Sequence, residues 1–151
     1  KRQGQDLEAR SNMLLAAFYG GVCIASSSTT GVHALSYPLG GMYRIWHGVA
    51  NAMLLAPVME FNQDAIPDKL ERAAKAAGIE GDGRNLVPAF IRALEDLTRY
   101  VGIPSRLSAF GIEKKDIPEL TSRAMEVTRL LSNNPKPISR EEAAAIYERI
   151  L

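Results

Sequence analysis

Apolar side chains recur along this chain with the spacing of helices. From Asp6 to about Ser26, Leu7, Leu14, Phe18, Val22 and Ala25 fall three, four or seven apart, which puts them on one helical face. The run Ser26-Ser27-Ser28-Thr29-Thr30-Gly31 breaks that pattern, and its hydroxyls are suited to cap whatever follows. His33 to Leu39 reads as a short helix closed by Gly40-Gly41. Gly48 to Phe61 is apolar nearly all round, as expected of a helix through the middle of a domain. Pro57 is predicted to kink that helix or end it early.

Pro67 to Ala77 predicts a short polar helix stopped by Gly78. Leu86, Phe90, Ala93, Leu97 and Val101 form the next stripe, with Arg92, Glu95, Asp96 and Arg99 facing water. Ile117, Leu120, Ala124, Val127 and Leu131 form another, opened by Asp116 and Glu119 in the manner of a capping box with Pro118 in the first turn. A final helix follows Asn133-Asn134-Pro135-Lys136-Pro137 and starts with the capping box Ser139-x-x-Glu142. No segment alternates with period two. The expectation is all-α: a bundle of roughly five to seven helices in a single domain over residues 1–151.

Composition narrows the function classes. The 151 residues are 46% hydrophobic and 23% charged, which excludes disorder as the main state. Eighteen basic and seventeen acidic side chains leave a formal charge of +1, no electrostatic footprint for nucleic acid or an anionic membrane. The longest strongly apolar run, Val49 to Met59, is too short to span a bilayer. Cys23 is the single cysteine, so no internal disulfide forms, and with no secretory signal the expected compartment is the cytoplasm. Cys23 itself is expected to be a buried, inert thiol. Gly78-x-x-Gly81-x-Gly83 neither follows a strand nor has a dinucleotide loop's order, and reads as a turn.

The chain has two histidines, His33 and His47, both in the glycine-punctuated apolar region. On one straight helix, fourteen residues would part them by about 21 Å, whereas two imidazoles on one metal keep their Cα atoms within roughly 13 Å. Only a chain reversal brings them together, and Gly40-Gly41 offers a break midway. The spacing permits a shared metal without demanding one. The competing reading is a pair of packed or capping histidines.

Two longer stretches carry a resemblance. Gly31-Val32-His33-Ala34-Leu35-Ser36-Tyr37-Pro38-Leu39-Gly40-Gly41, followed by Ile45-Trp46-His47-Gly48-Val49-Ala50-Asn51-Ala52, resembles the signature of the iron-containing (group III) alcohol dehydrogenases. The flanks agree: Asp6-Leu7-Glu8-Ala9-Arg10 before it, Met59-Glu60-Phe61-Asn62 after it, and the Asn134-Pro135-Lys136-Pro137-Ile138 tail.

The resemblance implies the later part of a helical metal-binding domain, in a protein whose nucleotide-binding domain and first helical-domain segments lie upstream. It implies a divalent metal, Fe²⁺ or Zn²⁺ or another, held by one aspartate and three histidines. His33 and His47 match two of these ligands; the Asp-x-x-x-His pair would precede residue 1. NAD or NADP would bind mainly to the upstream domain. The implied activity is reversible alcohol dehydrogenation and aldehyde reduction, with a small alcohol or aldehyde as partner and room for a homo-oligomer. With two ligands of four, the chain alone is expected to bind metal weakly and not to turn over.

Two positions depart from the family pattern. Many members carry a histidine where this chain has Tyr37, on the same helix face as His33 and toward the nicotinamide. A phenol donates a hydrogen bond but does not accept a proton near neutral pH as imidazole does. Trp46 stands where proline is usual, and either narrows the substrate entrance or simply packs. Alternatives within the superfamily are glycerol dehydrogenase-like, maleylacetate reductase-like or hydroxyacid–oxoacid transhydrogenase-like activity. Outside it stands a non-enzymatic helical binding module.

Overall fold

The computed structural model describes residues 4–81 and 83–151. Its helices are α1 (Leu7–Ser27), α2 (Gly31–Tyr43), α3 (His47–Asn62), α4 (Pro67–Ala76), α5 (Leu86–Tyr100), α6 (Ile117–Met125), α7 (Thr128–Leu131) and α8 (Arg140–Arg149). Short 3-10 turns occupy Gly83–Asn85, Leu107–Phe110 and Lys114–Asp116. There is no strand among the described residues, as the periodicity predicts. No single helix among them is long and apolar enough to cross a membrane.

The core forms around α2 and α3. One side of α2 packs on α3 and the other on α6 and α7, while α3 also meets α5 and α8. Leu35 and Leu39 from α2, Leu54 and Val58 from α3, Leu120 from α6 and Tyr147 from α8 are all fully buried at this junction. Tyr147 spans it: its hydroxyl donates to the Leu35 carbonyl at 2.5 Å. Burial pushes the Tyr147 pKa far upward, so the phenol stays a neutral donor.

Several boundaries differ from the sequence expectation. Helix α2 does not close at Gly40-Gly41 but runs through both glycines to Tyr43. Its stop is Arg44, in the left-handed conformation at φ 54°, with the Arg44 N–H donating back to the Gly40 carbonyl. Helix α3 likewise passes through Pro57 and ends five residues later. The proline removes one backbone donor, but Met53, Leu54, Ala56 and Val58 around it are buried, and that packing outweighs the loss.

The predicted 117–131 helix divides in two. The N–H groups of Glu126 and Val127 donate to carbonyls three residues back, which tightens the last turn of α6. Val127, with ψ 52°, leaves the helical region before α7 begins. The break shifts the phase, so Leu130 is fully buried while Leu131 packs half-buried against the core. The capping box lies three residues earlier than expected: Asp116 accepts from the Glu113 N–H at 2.8 Å, and Glu119 pairs instead with Arg123. On α5 the buried positions are Leu86 and Ile91, while Leu97 is exposed. The Ser139–Glu142 box forms as expected.

Helix α1 is the largest departure. It is regular for 21 residues and capped by Asp6, yet none of its side chains is buried. The predicted stripe of Leu7, Leu14, Phe18 and Val22 stands exposed, and Cys23, expected inside, is exposed too. The periodicity identified the helix correctly, but nothing among the described residues covers its apolar face.

Candidate metal centre

The two histidines reach one place because α2 and α3 are joined by a short reversal. His33 lies in the first turn of α2 and His47 is the first residue of α3. The turn is made at Arg44, Ile45 and Trp46, not at the glycine pair. Ile45 is buried and anchors it, and its N–H donates to the Leu39 carbonyl at 3.3 Å. Trp46 is 82% exposed, so the packing alternative for this side chain does not hold within the described residues.

The ring centroids of His33 and His47 are 5.1 Å apart, with planes inclined at 56°. Two imidazoles bonded to one ion at about 2.0–2.1 Å, with ligand angles of about 90–110°, have centroids roughly 4.5–5.3 Å apart. The observed spacing falls within that interval. Burial, and next the neighbouring His47, lower the His33 pKa below the ordinary histidine value, which favours the neutral, ligating form. Tyr37, one turn after His33, keeps its ring centroid 6.3 Å from that of His47 and is 44% exposed. The His47 ring thus neighbours both the His33 and the Tyr37 rings.

The start of α2 is fixed from a distance. Asn134 Oδ1 accepts from the Gly31 N–H at 3.3 Å, so the cap comes from the C-terminal segment and not from the Ser26–Thr30 hydroxyls. A β-carbon on Gly31 would lie 2.7 Å from Ile138 Cδ1 and 2.8 Å from Asn134 Oδ1. Only glycine allows this approach, which seats the His33 turn against the body of the domain. The linker before α2 is tied down as well, because Asn133 Nδ2 donates to the carbonyls of Ser27 and Thr29 at 2.8 and 3.2 Å. Ser28, Thr29 and Thr30 line an open cleft with His33, Asn51 and Leu55.

Asn51 was singled out in the sequence only as part of a motif. It lies one turn after His47, and its Nδ2 is 2.9 Å from His47 Nε2 and 3.0 Å from the His47 carbonyl. The i, i+4 spacing was the available signal. Asn51 Oδ1 is buried without a hydrogen-bond partner. No cluster of three or more His, Cys, Asp or Glu side chains suited to a metal occurs among the described residues. The chain therefore brings two imidazole rings together, a partial donor set that suits a borderline divalent cation.

Comparison with known proteins gives this geometry a context. The Fe-containing alcohol dehydrogenase family, C-terminal, matches residues 1–151. Long-chain-alcohol dehydrogenase 1 of Geobacillus thermodenitrificans is 36% identical over 148 residues, 96% of this chain and 38% of that protein. The 1,3-propanediol dehydrogenase of Klebsiella pneumoniae is 34% identical over 149 residues, 97% of this chain and 38% of that protein. The solved alcohol dehydrogenase from Oenococcus oeni superimposes with a TM-score of 0.91 at 28% identity, covering 98% of this chain and 39% of that one. The chain spans 38% of the length of these curated relatives. It belongs to the Fe-containing alcohol dehydrogenase family and corresponds to the family's C-terminal helical domain.

Proposed function

We propose that this chain supplies two ligands, His33 and His47, to the divalent metal of an NAD(P)-linked alcohol dehydrogenase or aldehyde reductase. The observation that carries this reading is the convergence of the two rings at 5.1 Å. An aspartate and a third histidine would come from the part of the polypeptide outside these 151 residues, as would most of the nicotinamide site. That division makes residues 1–151 one helical domain of a longer enzyme.

When bound, such an ion, Fe²⁺ or Zn²⁺, polarises the alcohol or carbonyl oxygen. Hydride transfer is the chemistry of the nicotinamide. The chain's own side chains hold and orient. Burial, and next the neighbouring His47, lower the His33 pKa, which favours the neutral form that can ligate. Tyr37, beside His47 and partly exposed, donates a hydrogen bond on the cofactor and substrate side of the opening without acting as a base. Exposed Trp46, next to His47 in sequence, shapes the approach of a small alcohol or aldehyde.

The test is made on the full-length polypeptide. His33→Ala and His47→Ala should each lose stoichiometric metal, measured by elemental analysis, and lower NAD(P)-linked alcohol oxidation by about 100-fold or more. Retention of one metal per chain and of activity in both variants would overturn the reading. The isolated 151-residue chain should bind Zn²⁺ more weakly than about 1 μM by calorimetry, because it contributes only part of a ligand set.

A further inference from the structure

The short linker between α1 and α2 carries a backbone conformation that its sequence disfavours. Ser28, the C-cap of α1, has φ 60° and ψ −168°. Arg44, at φ 54° and ψ 29°, lies in the ordinary left-handed basin, whereas the Ser28 combination belongs to a region used essentially by glycine. A β-carbon biases a residue against that state by about 5-fold or more, so it persists only where other contacts hold it. Those contacts come from a segment 101 to 106 residues further along the chain. Asn133 Nδ2 donates to the carbonyls on both sides of Ser28, that of Ser27 at 2.8 Å and that of Thr29 at 3.2 Å, and Arg129 Nη1 donates to Ser28 Oγ at 3.1 Å. The linker held in this way lines the cleft that contains His33, Leu55 and Met59.

We propose that Asn133 is a positioning residue that holds the Ser28 joint in its glycine-type conformation and so keeps the Ser28–Thr30 linker in place as a wall of the substrate cleft beside His33. The inference rests on the metal-centre reading of His33 above, which brings the alcohol or aldehyde to this cleft. One amide group bonded to carbonyls before and after Ser28 fixes how far the chain turns between them. Released from it, the linker relaxes to an ordinary conformation, only a fraction of molecules keep the wall in place, and apparent substrate affinity falls by that fraction. His33 and His47 lie within α2 and α3, so the effect falls on KM and not on metal content.

The experiment uses the full-length polypeptide with its metal and compares Asn133→Ala, Ser28→Gly and the double variant. Asn133→Ala should raise KM for the alcohol by about 5-fold or more while one metal per chain is retained. Glycine adopts the conformation without strain, so the double variant should have a KM within about 2-fold of Ser28→Gly alone. An unchanged KM, or a loss of metal, in folded Asn133→Ala overturns the proposal. A raised KM that Ser28→Gly leaves raised overturns it too, because the bond then acts without reference to strain. A second comparison decides even if Asn133→Ala fails to fold. Ser28→Gly and Ser28→Ala both lose the Arg129 bond, and Ser28→Gly should melt higher, the reverse of the order at an unstrained position. Ser28→Ala melting at or above Ser28→Gly overturns the proposal. If His33→Ala and His47→Ala leave metal and activity untouched, the metal-binding reading fails, while the melting order still judges the joint by itself.

Discussion

Asn62 and Asn134, 72 residues apart, exchange both halves of their side-chain amides. Asn134 Nδ2 donates to Asn62 Oδ1 at 2.8 Å and Asn62 Nδ2 donates to Asn134 Oδ1 at 3.1 Å. Asn62 is fully buried, and Asn134 Oδ1 also caps Gly31. The pair ties the end of α3 to the start of α2 through the C-terminal segment. Asn134→Ala should destabilise the protein by about 2–3 kcal/mol, because it strands the buried Asn62 amide and uncaps the helix carrying His33. Equilibrium denaturation of the variant measures this, and a change under about 0.5 kcal/mol would show that the pair is structurally idle.

Two glycines of α2 should respond oppositely to the same change. Gly31→Ala drives a methyl into Ile138 and Asn134 and should cost about 1–3 kcal/mol, with a matching loss of metal affinity in the full-length protein. Gly41→Ala meets nothing within 4 Å and lies inside the helix, so it should stabilise by about 0.5–1 kcal/mol. Thermal melts of the two variants side by side decide the matter.

Tyr147→Phe removes the only polar atom of a fully buried side chain and leaves its volume almost unchanged. The Leu35 carbonyl loses a donor, for an expected loss of about 1–2 kcal/mol at every pH where the phenol is neutral. Urea midpoints at two neutral pH values should shift equally.

The Lys136 ammonium lies 2.6 Å from Asp64 and 4.2 Å from the centre of the Phe61 ring. Its hydrogen bond is the main cause holding the Asp64 carboxyl below the usual aspartate range. A depressed carboxyl favours the folded state above the unfolded aspartate pKa, and that contribution is lost as pH falls through the folded value. Lys136→Met should therefore raise the Asp64 pKa, read from its side-chain carboxyl ¹³C titration, and flatten the acid limb of the stability curve. An unmoved titration would assign the depression to the local backbone instead.

The helix faces were readable where burial is strong. Leu120 and Ala124, or the apolar girth of α3, needed only the period. The ends of α2 were not, although the local Ser139–Glu142 box of α8 was. The capping atom for α2 comes from Asn134, and glycines that look like a stop become ordinary helix once Arg44 adopts the left-handed turn. Leu97 follows the predicted stripe yet is exposed, since the period cannot say which arc meets a neighbour. At the site, the motif pointed to His33 and His47, while the spacing only permitted them to meet. The hold of Asn51 on His47 required coordinates, because an asparagine one turn from a histidine is common and only the carbonyl contact distinguishes its two ends.

For α1, the consequence of bearing no buried side chain is kinetic as well as energetic. Its helicity rests on the Asp6 cap and local propensity, terms that leave an isolated peptide of this length only marginally ordered in water. In the isolated chain, its backbone amides should trade hydrogen for deuterium well ahead of those in α2 and α3, and slow down once an apolar surface closes over Leu14 and Phe18. The exchange rate of that one segment is a built-in gauge of whether its apolar face is covered.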